Sequence, residues 1–439
     1  MNQSYLVYTR TEPRVDTEPA PEDQVTQVVF QDLKAFNAIH EHQLMQAEPI
    51  SKLDDYYTRR KLEEMIRINS VVGQEAEIAE YLQRELEALG LRCEIAPVEP
   101  NRPNVYAKLE SNRPGRRFMF NGHTDTVPVS EGWTTNPFEP VEKEGRLYGL
   151  GSCDMKAGFA CALNAIRAIT ESKLDLPGTL LFSAVIDEEA YSKGAKAMLT
   201  TEYAKCDAIL LCEPYSGEST TPIPLGITGK ILYDITVKGR AAHGFSPQLG
   251  INAIEEAAKI LTNLDRIKMR DHPMFHKGNY CTLKIEGGYK TYSVVVPERC
   301  RFEINRLLVP GETPDTAVDD LNDLVRSLDL KAEVEVGIKP PRYEPFEISP
   351  DEPVIKIFHE VYRETMGVEP QYAYETGITD ANVFAGEAGI PCLHLGPKRG
   401  GEHQPNEHVP LDWLPPISRM YALIAARFLS SEEPRAHAD

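Results

Sequence analysis

Two hydrophobic periods divide this chain. Residues 61–70 (KLEEMIRINS) and 76–90 (AEIAEYLQRELEALG) place apolar residues every three or four positions, the helical spacing, and Gly90 stops the second run. Short apolar runs follow at 118–120 (FMF), 179–186 (TLLFSAVI), 208–212 (AILLC) and 391–395 (PCLHL). Helical stretches such as 159–169 (FACALNAIRAI) and 194–199 (GAKAML) separate them. Apolar runs alternating with amphipathic helices predict an α/β fold: a mixed, mostly parallel sheet with helices on both faces.

A different texture runs from Gly226 to Lys339. There 231–240 (ILYDITVKGR), 280–288 (YCTLKIEGG), 293–298 (SVVVPE) and 299–309 (RCRFEINRLLV) alternate at period two, the pattern of half-buried strands. Helical patterns at 251–264 and 315–328 are interspersed with them. This predicts an inserted α+β lid or dimerisation domain, an open-faced sheet with helices on one side. The proline-rich 340–353 reads as the return linker, and 354–367 (VIKIFHEVYRETMG) as the first helix of the returning domain. The expected organisation is a loose arm over 1–27, a first catalytic part over 28–225, the insertion over 226–339 and a second catalytic part over 340–439.

At 439 residues the chain exceeds the roughly 250 to 300 at which single cores stop growing, which agrees with two domains. A formal charge of −20 with no long basic run argues against nucleic acid as a partner. No window approaches the roughly 18 apolar residues of a membrane span, and the first residues lack the regions of a signal peptide, so a cytoplasmic protein is expected. Eight scattered cysteines, none in a C-x-x-C pair, read as reduced thiols.

Polar groups punctuate this frame at particular places. His123 and Asp125 follow the first apolar run, Glu188 and Glu189 the second, Glu213 the third, and His403 stands in the glycine-rich loop after the fourth. Asp154 precedes a helix. In open α/β sheets the carboxyl edge of the strands is where ligands bind. Each feature has an ordinary reading alone: a turn cap for His123 and Asp125, an N-cap for Asp154, solvated surface for Glu188 and Glu189, a loop acid for Glu213. Their gathering at matching positions points instead to divalent metal, since acids and imidazoles crowded together need a positive charge between them. Two histidines and three to four carboxylates suffice for two ions.

The stretches GHTDTVPV, GSCDMKAG, DEEA, CEP, KGRAAHGFSP and GPKRGGEHQPNE, in this order, resemble the acetylornithine deacetylase, succinyl-diaminopimelate desuccinylase, aminoacylase and glutamate carboxypeptidase family of dinuclear-metal hydrolases. The resemblance runs from about residue 60 to 430. It implies His123 and Glu213 on one metal, Glu189 and His403 on the other, and Asp154 as the bridge. It further implies that Asp125 accepts the second N–H of His123 and that Glu188 is the general base. His243 in KGRAAHGFSP would supply an oxyanion donor, often across a dimer interface; its ordinary reading is a turn histidine. Arg306 would grip a substrate carboxylate, against the alternative of a strand arginine in a surface pair. Ser293 stands where many relatives carry asparagine, which puts their amide contact to substrate in doubt. Lys398 and Arg399 could meet an anionic acyl group or belong to a solvated loop.

The expected activity is a metal-dependent amidohydrolase that deacylates N-acyl amino acids, working as a homodimer through the inserted domain. Zinc suits mixed imidazole and carboxylate donors, with cobalt or manganese as substitutes. A carboxypeptidase or dipeptidase acting on short peptides is the alternative within the same chemistry. A noncatalytic metal-stabilised binding protein is the alternative outside it, and the non-ligand acid Glu188 argues against that one.

Overall fold

A computed structural model of the chain describes residues 49–431, so the expected arm at 1–27 lies outside the described residues. Helix α1 (Asp55–Ile66) begins where the Asp54 carboxylate accepts the Tyr57 N–H. Helix α2 (Ala76–Ala88) ends before Gly90, whose φ of +88° lies in the left-handed region that glycine enters without strain. Next come β1 (Arg92–Glu99), β2 (Arg102–Glu110), β3 (Arg117–His123), α3 (Lys156–Ser172), β4 (Thr179–Val185), α4 (Lys193–Met198) and β5 (Ala208–Leu211).

The intervening region contains β6 (Gly229–Lys238), α5 (Ala253–Leu261), β7 (Tyr280–Gly287), β8 (Arg299–Leu308), α6 (Pro314–Ser327) and β9 (Glu333–Tyr343). The chain closes with α7 (Pro353–Met366), β10 (Cys392–His394) and α8 (Leu414–Ser430).

The central sheet has the order β1-β2-β4-β3-β5-β10. Its first two pairings are antiparallel and its last three parallel, the mixed, mostly parallel sheet that the sequence predicts. Strand β4 is buried at every residue, as a strand covered on both faces must be. Helix α3 packs between α1 and α8, and nearly all of its residues are buried. Register decides where the strands stop. His123 pairs with Val185, and Asn121 and His394 both align with Leu211, so β3, β4, β5 and β10 finish at one edge.

A second core gathers residues from Ile231 to Ile338, where β7-β8-β6-β9 make an antiparallel sheet. Along β6 and β8 every second residue is buried, and Tyr233, Ile235, Phe302 and Ile304 pack with α5 and α6.

Two expectations need correction here. The run 293–298 is no strand but a loop that touches the 240–250 loop through Gly244 N–H to Val294 O and Val296 N–H to Ala242 O. The linker expected at 340–353 starts inside a strand, because β9 continues to Tyr343. Pro340 and Pro341 lack the N–H that a ladder needs; the register shifts between Lys339 and Tyr343, and β9 sits at the sheet edge, where prolines are tolerated.

Candidate active site

Because β3, β4, β5 and β10 end together, their following residues meet above the sheet. His123 is the last residue of β3, Glu188 and Glu189 follow β4 on a turn, and Glu213 comes two residues after β5. Asp154 arrives from the loop before α3, and His403 from the long loop after β10, with φ of +59°. Helix α3 approaches closely because Gly158 has no side chain: a Cβ there would lie 1.9 Å from the Cys212 carbonyl oxygen. Asp154 does not cap α3, whose N-cap is Met155 with no side-chain hydrogen bond.

The two carboxylate oxygens of Asp154 face opposite imidazoles. Oδ1 lies 3.2 Å from His123 Nε2 and Oδ2 lies 3.4 Å from His403 Nε2. Glu213 Oε1 is 3.7 Å from His123 Nε2, and Glu189 Oε1 is 2.9 Å from His403 Nε2. Two donor triads result, His123–Asp154–Glu213 and Asp154–Glu189–His403, each with its donor atoms within 4.8 Å of one another. A third cluster joins His123, Glu188 and Glu189, so Glu188 reaches toward both halves. Imidazole nitrogen and carboxylate oxygen are the donors a zinc-like divalent ion takes, so these residues fit a pair of such ions with Asp154 between them.

The ring of His123 is oriented by Asp125, through its backbone carbonyl rather than its carboxylate. Nδ1 sits 2.7 Å from the Asp125 backbone oxygen and 3.8 Å from its carboxylate. With its N–H given to that carbonyl, Nε2 is left as the donor atom on the Asp154 side. The Asp125 carboxylate instead accepts the backbone N–H groups of Glu188 and Glu189, at 3.3 and 3.1 Å, and so anchors the turn that carries both acids.

Burial and crowding set the charges. Burial pushes Glu213 up to about 8, opposed by His123 and reinforced by Asp154, Asp380 and Glu189. Glu188 is raised well above the carboxylate range, first by burial, with His123 opposing and Glu213 and Asp380 adding to it. Hydrogen bonds to Asp154 and Glu189 lift His403 to about 10. Burial alone would raise Asp154 too, yet its bonds to the two histidines hold it below its usual range. The acids outnumber the imidazoles, and that excess negative charge adds to burial in raising Glu188 and Glu213.

Several supporting residues carry no sequence signal of their own. The buried Glu407 accepts the N–H groups of Gly151, Cys153 and Asp154 at 2.9, 2.9 and 3.1 Å, which fixes the loop bearing Asp154. It stands in the same GPKRGGEHQPNE stretch as His403, the one hint available. Arg102 on β2 bonds Glu75 at 2.6 Å and Asp187 at 2.8 Å, tying the base of the Glu188 turn to α2. Asp380, buried beside the cleft, is pushed up to about 7 by burial.

The cleft encloses about 260 Å³ lined by Asp154, Glu188, Glu189, Glu213, Arg399 and His403, among others. A larger cavity of about 360 Å³, lined by Leu89, Leu109, Ile169 and Leu429 among others, has no imidazole; donor chemistry, not size, picks out the site.

Three expected site residues are not brought to the cleft. His243 is exposed beside Phe245, and Ser293 is exposed on the loop next to it. Arg306 is fully buried in the second core: it bonds Glu312 at 2.7 Å, Asp320 at 2.9 Å and the Tyr233 hydroxyl at 3.0 Å. The expectation that it grips a substrate carboxylate is corrected, because two acids already occupy its guanidinium.

The sequence profile of peptidase family M20/M25/M40 matches residues 119–427. Acetylornithine deacetylase of Proteus mirabilis is 30% identical over 80% of this chain and 89% of its own length. N-formyl-4-amino-5-aminomethyl-2-methylpyrimidine deformylase of Bacillus subtilis is 27% identical over 77% and 85% respectively. Among solved structures, a tripeptidase from Staphylococcus aureus superposes with a TM-score of 0.70 at 23% identity, covering 87% of this chain and all (100%) of that one.

Proposed function

The chain belongs to peptidase family M20/M25/M40 and is a hydrolase of amide bonds, and from that premise we propose that it removes the acyl group from N-acyl amino acids with two divalent metal ions, zinc foremost. The observation that carries this reading is the pair of donor triads sharing Asp154. His123 and Glu213 would hold one ion and Glu189 and His403 the other, with Asp154 common to both triads; cobalt or manganese would suit the same donors. When bound, such a pair polarises the amide carbonyl and lowers the pKa of water to near neutrality.

The remaining work falls to side chains. Glu188, within reach of both triads, accepts the proton of the attacking water as the new C–O bond forms. It then delivers that proton to the departing nitrogen as the C–N bond breaks, and the second proton of the water leaves the new carboxyl group for the amine or solvent, so that the products are a carboxylate and an ammonium group. The Asp125 carboxylate and the Arg102–Glu75 pair keep the Glu188 turn in place while the charge moves.

The inserted region, 226–339, serves in this proposal as lid and dimerisation domain. Its edge strand β7 is exposed along nearly its whole length, with Leu283 and Ile285 59% and 50% accessible. Phe245 and Tyr292, 83% and 90% accessible, flank the loops of His243 and Ser293. Exposed edges and apolar side chains of this kind call for a cover, and a second copy of the chain supplies one by two-fold symmetry. His243 would then reach the cleft of the partner subunit as an oxyanion donor, with Ser293 beside it. A cytoplasmic setting accords with eight free cysteines and with the absence, among the described residues, of a helix long and apolar enough to cross a membrane.

The test is direct. Metal-loaded protein should hydrolyse members of a panel of N-acyl amino acids, lose that activity to a chelator and regain it with zinc. Hydrolysis of dipeptides alone would move the assignment to a dipeptidase; no hydrolysis of any amide would reject it.

A further inference from the structure

We infer that Arg399 is the seat for a carboxylate of the substrate, with Glu402 as the counter-ion that this carboxylate displaces. The inference rests on the deacylase reading and deepens it by assigning the anionic part of the substrate. Among the described residues that line the cleft, Arg399 is the one guanidinium or ammonium group, set among Asp154, Glu188, Glu189, Glu213 and Glu402. With the acids and imidazoles taken up as metal ligands, a substrate carboxylate finds among the described lining residues no lysine or arginine but this one.

Its guanidinium is held for the purpose. The ring of Tyr215 lies under it, with the guanidinium carbon 4.3 Å from the ring centroid. Its Nε donates to the Pro214 carbonyl oxygen at 3.1 Å. Tyr215 is itself fixed, buried, with its hydroxyl 3.2 Å from Glu375 and its ring edge-on to His394 at 5.2 Å. Pro214 and Tyr215 directly follow Glu213, so the arginine seat and a metal-site acid ride on one turn.

The counter-ion distinguishes this arginine from Arg306. Arg399 meets Glu402 at 3.3 Å, with the two side chains 30% and 29% exposed. That is long for a charge-assisted pair, which settles near 2.7 to 2.9 Å. Arg306, by contrast, has no exposed surface and two acids at 2.7 and 2.9 Å. A substrate carboxylate can therefore exchange with Glu402, and the planar fork of a guanidinium binds it through two parallel hydrogen bonds. Lys398, next in sequence, turns away to Glu218 at 2.6 Å and does not line the cleft.

The carboxylate has two chemical sources: the amino-acid half of the substrate, or a second acid on a dicarboxylic acyl group. Two substrate pairs separate them in the metal-loaded enzyme. The first is an N-acetyl amino acid and its carboxamide; the second is an N-succinyl amino-acid amide and its N-butyryl counterpart. Arg399→Gln should lower kcat/KM about ten- to a hundredfold on the charged member of one pair and less than about threefold on its neutral partner. The pair that responds identifies the source. Arg399→Lys, which keeps charge but loses the fork, should fall between wild type and Arg399→Gln, and Glu402→Gln should lower KM for the charged member. Equal losses on charged and neutral members would overturn the inference while leaving the deacylase reading intact. A wild-type enzyme that hydrolyses none of the four would overturn both.

Discussion

In the inserted region, Arg306 lies under α6 with Glu312, Asp320 and the Tyr233 hydroxyl around it, every charge opposed within 3 Å. At the end of the central sheet, Asp154, Glu188, Glu189 and Glu213 surround two imidazoles, and burial, reinforced by the neighbouring acids, drives Glu188 and Glu213 up from the carboxylate range. Both are polar clusters buried against a sheet, the first between strands and a helix and the second at strand ends. One closes on itself and so stabilises a core; the other is left incomplete by the protein alone and so can take cations and do chemistry. Incompleteness, rather than the number of charged residues, separates a site from a scaffold.

The largest break in that comparison is Asp154→Ala. It removes the acid common to both triads, so bound metal should fall from two ions per chain toward none, and turnover to the assay baseline, as read by metal analysis beside kinetics. Full activity with no metal would remove the basis of the contrast. Glu188→Gln sharpens it: the variant should keep both ions and its fold while losing about 10² to 10⁴ in turnover, because an amide can neither take nor deliver the proton. Loss of metal in that variant would make Glu188 a ligand, which the cluster of His123, Glu188 and Glu189 permits geometrically.

Arg306→Leu tests the other side. Removing one partner of a buried ion cluster strands Glu312 and Asp320, at a cost of about 3 to 5 kcal/mol in denaturant unfolding. The preference for an N-acyl amino acid over its carboxamide should be unchanged, since the guanidinium faces no cleft. A lost preference with unchanged stability would return Arg306 to substrate binding.

How much of this was legible beforehand depends on which physical signal each residue carries. His123, Glu189, Glu213 and His403 could be read because apolar runs announce strands, and acids or imidazoles at strand ends fall at one edge once the strands are parallel. Arg306 could have been read too. In RCRFEINRLLV the period of two puts it on the face of Phe302 and Ile304, the buried one. Other features have no local pattern. Whether the carbonyl or the carboxylate of Asp125 meets His123 turns on a difference of 2.7 against 3.8 Å, and Glu407 finds the Asp154 loop across more than 250 residues. The run SVVVPE misleads because an apolar loop and a short strand share a composition when the partner is another loop.

The smallest expected signal asks whether the two regions meet across a dimer. His243 stands exposed in the inserted region, apart from the residues that line the cleft, so it contributes to chemistry only if it is carried there. If a partner subunit carries it, each active site combines Glu188 of one chain with His243 of the other. Mixing Glu188→Gln and His243→Ala chains then yields a heterodimer with one site carrying both defects and one carrying neither. Random exchange of equal amounts makes half of the dimers mixed, and one intact site in two gives about a quarter of wild-type activity. Each variant alone stays low, so recovery is visible against the parents. No recovery despite exchange shown by mass-tagged subunits would mean that His243 serves the cleft of its own chain through lid closure, or does not serve catalysis. The contrast between the regions would then hold within a single chain.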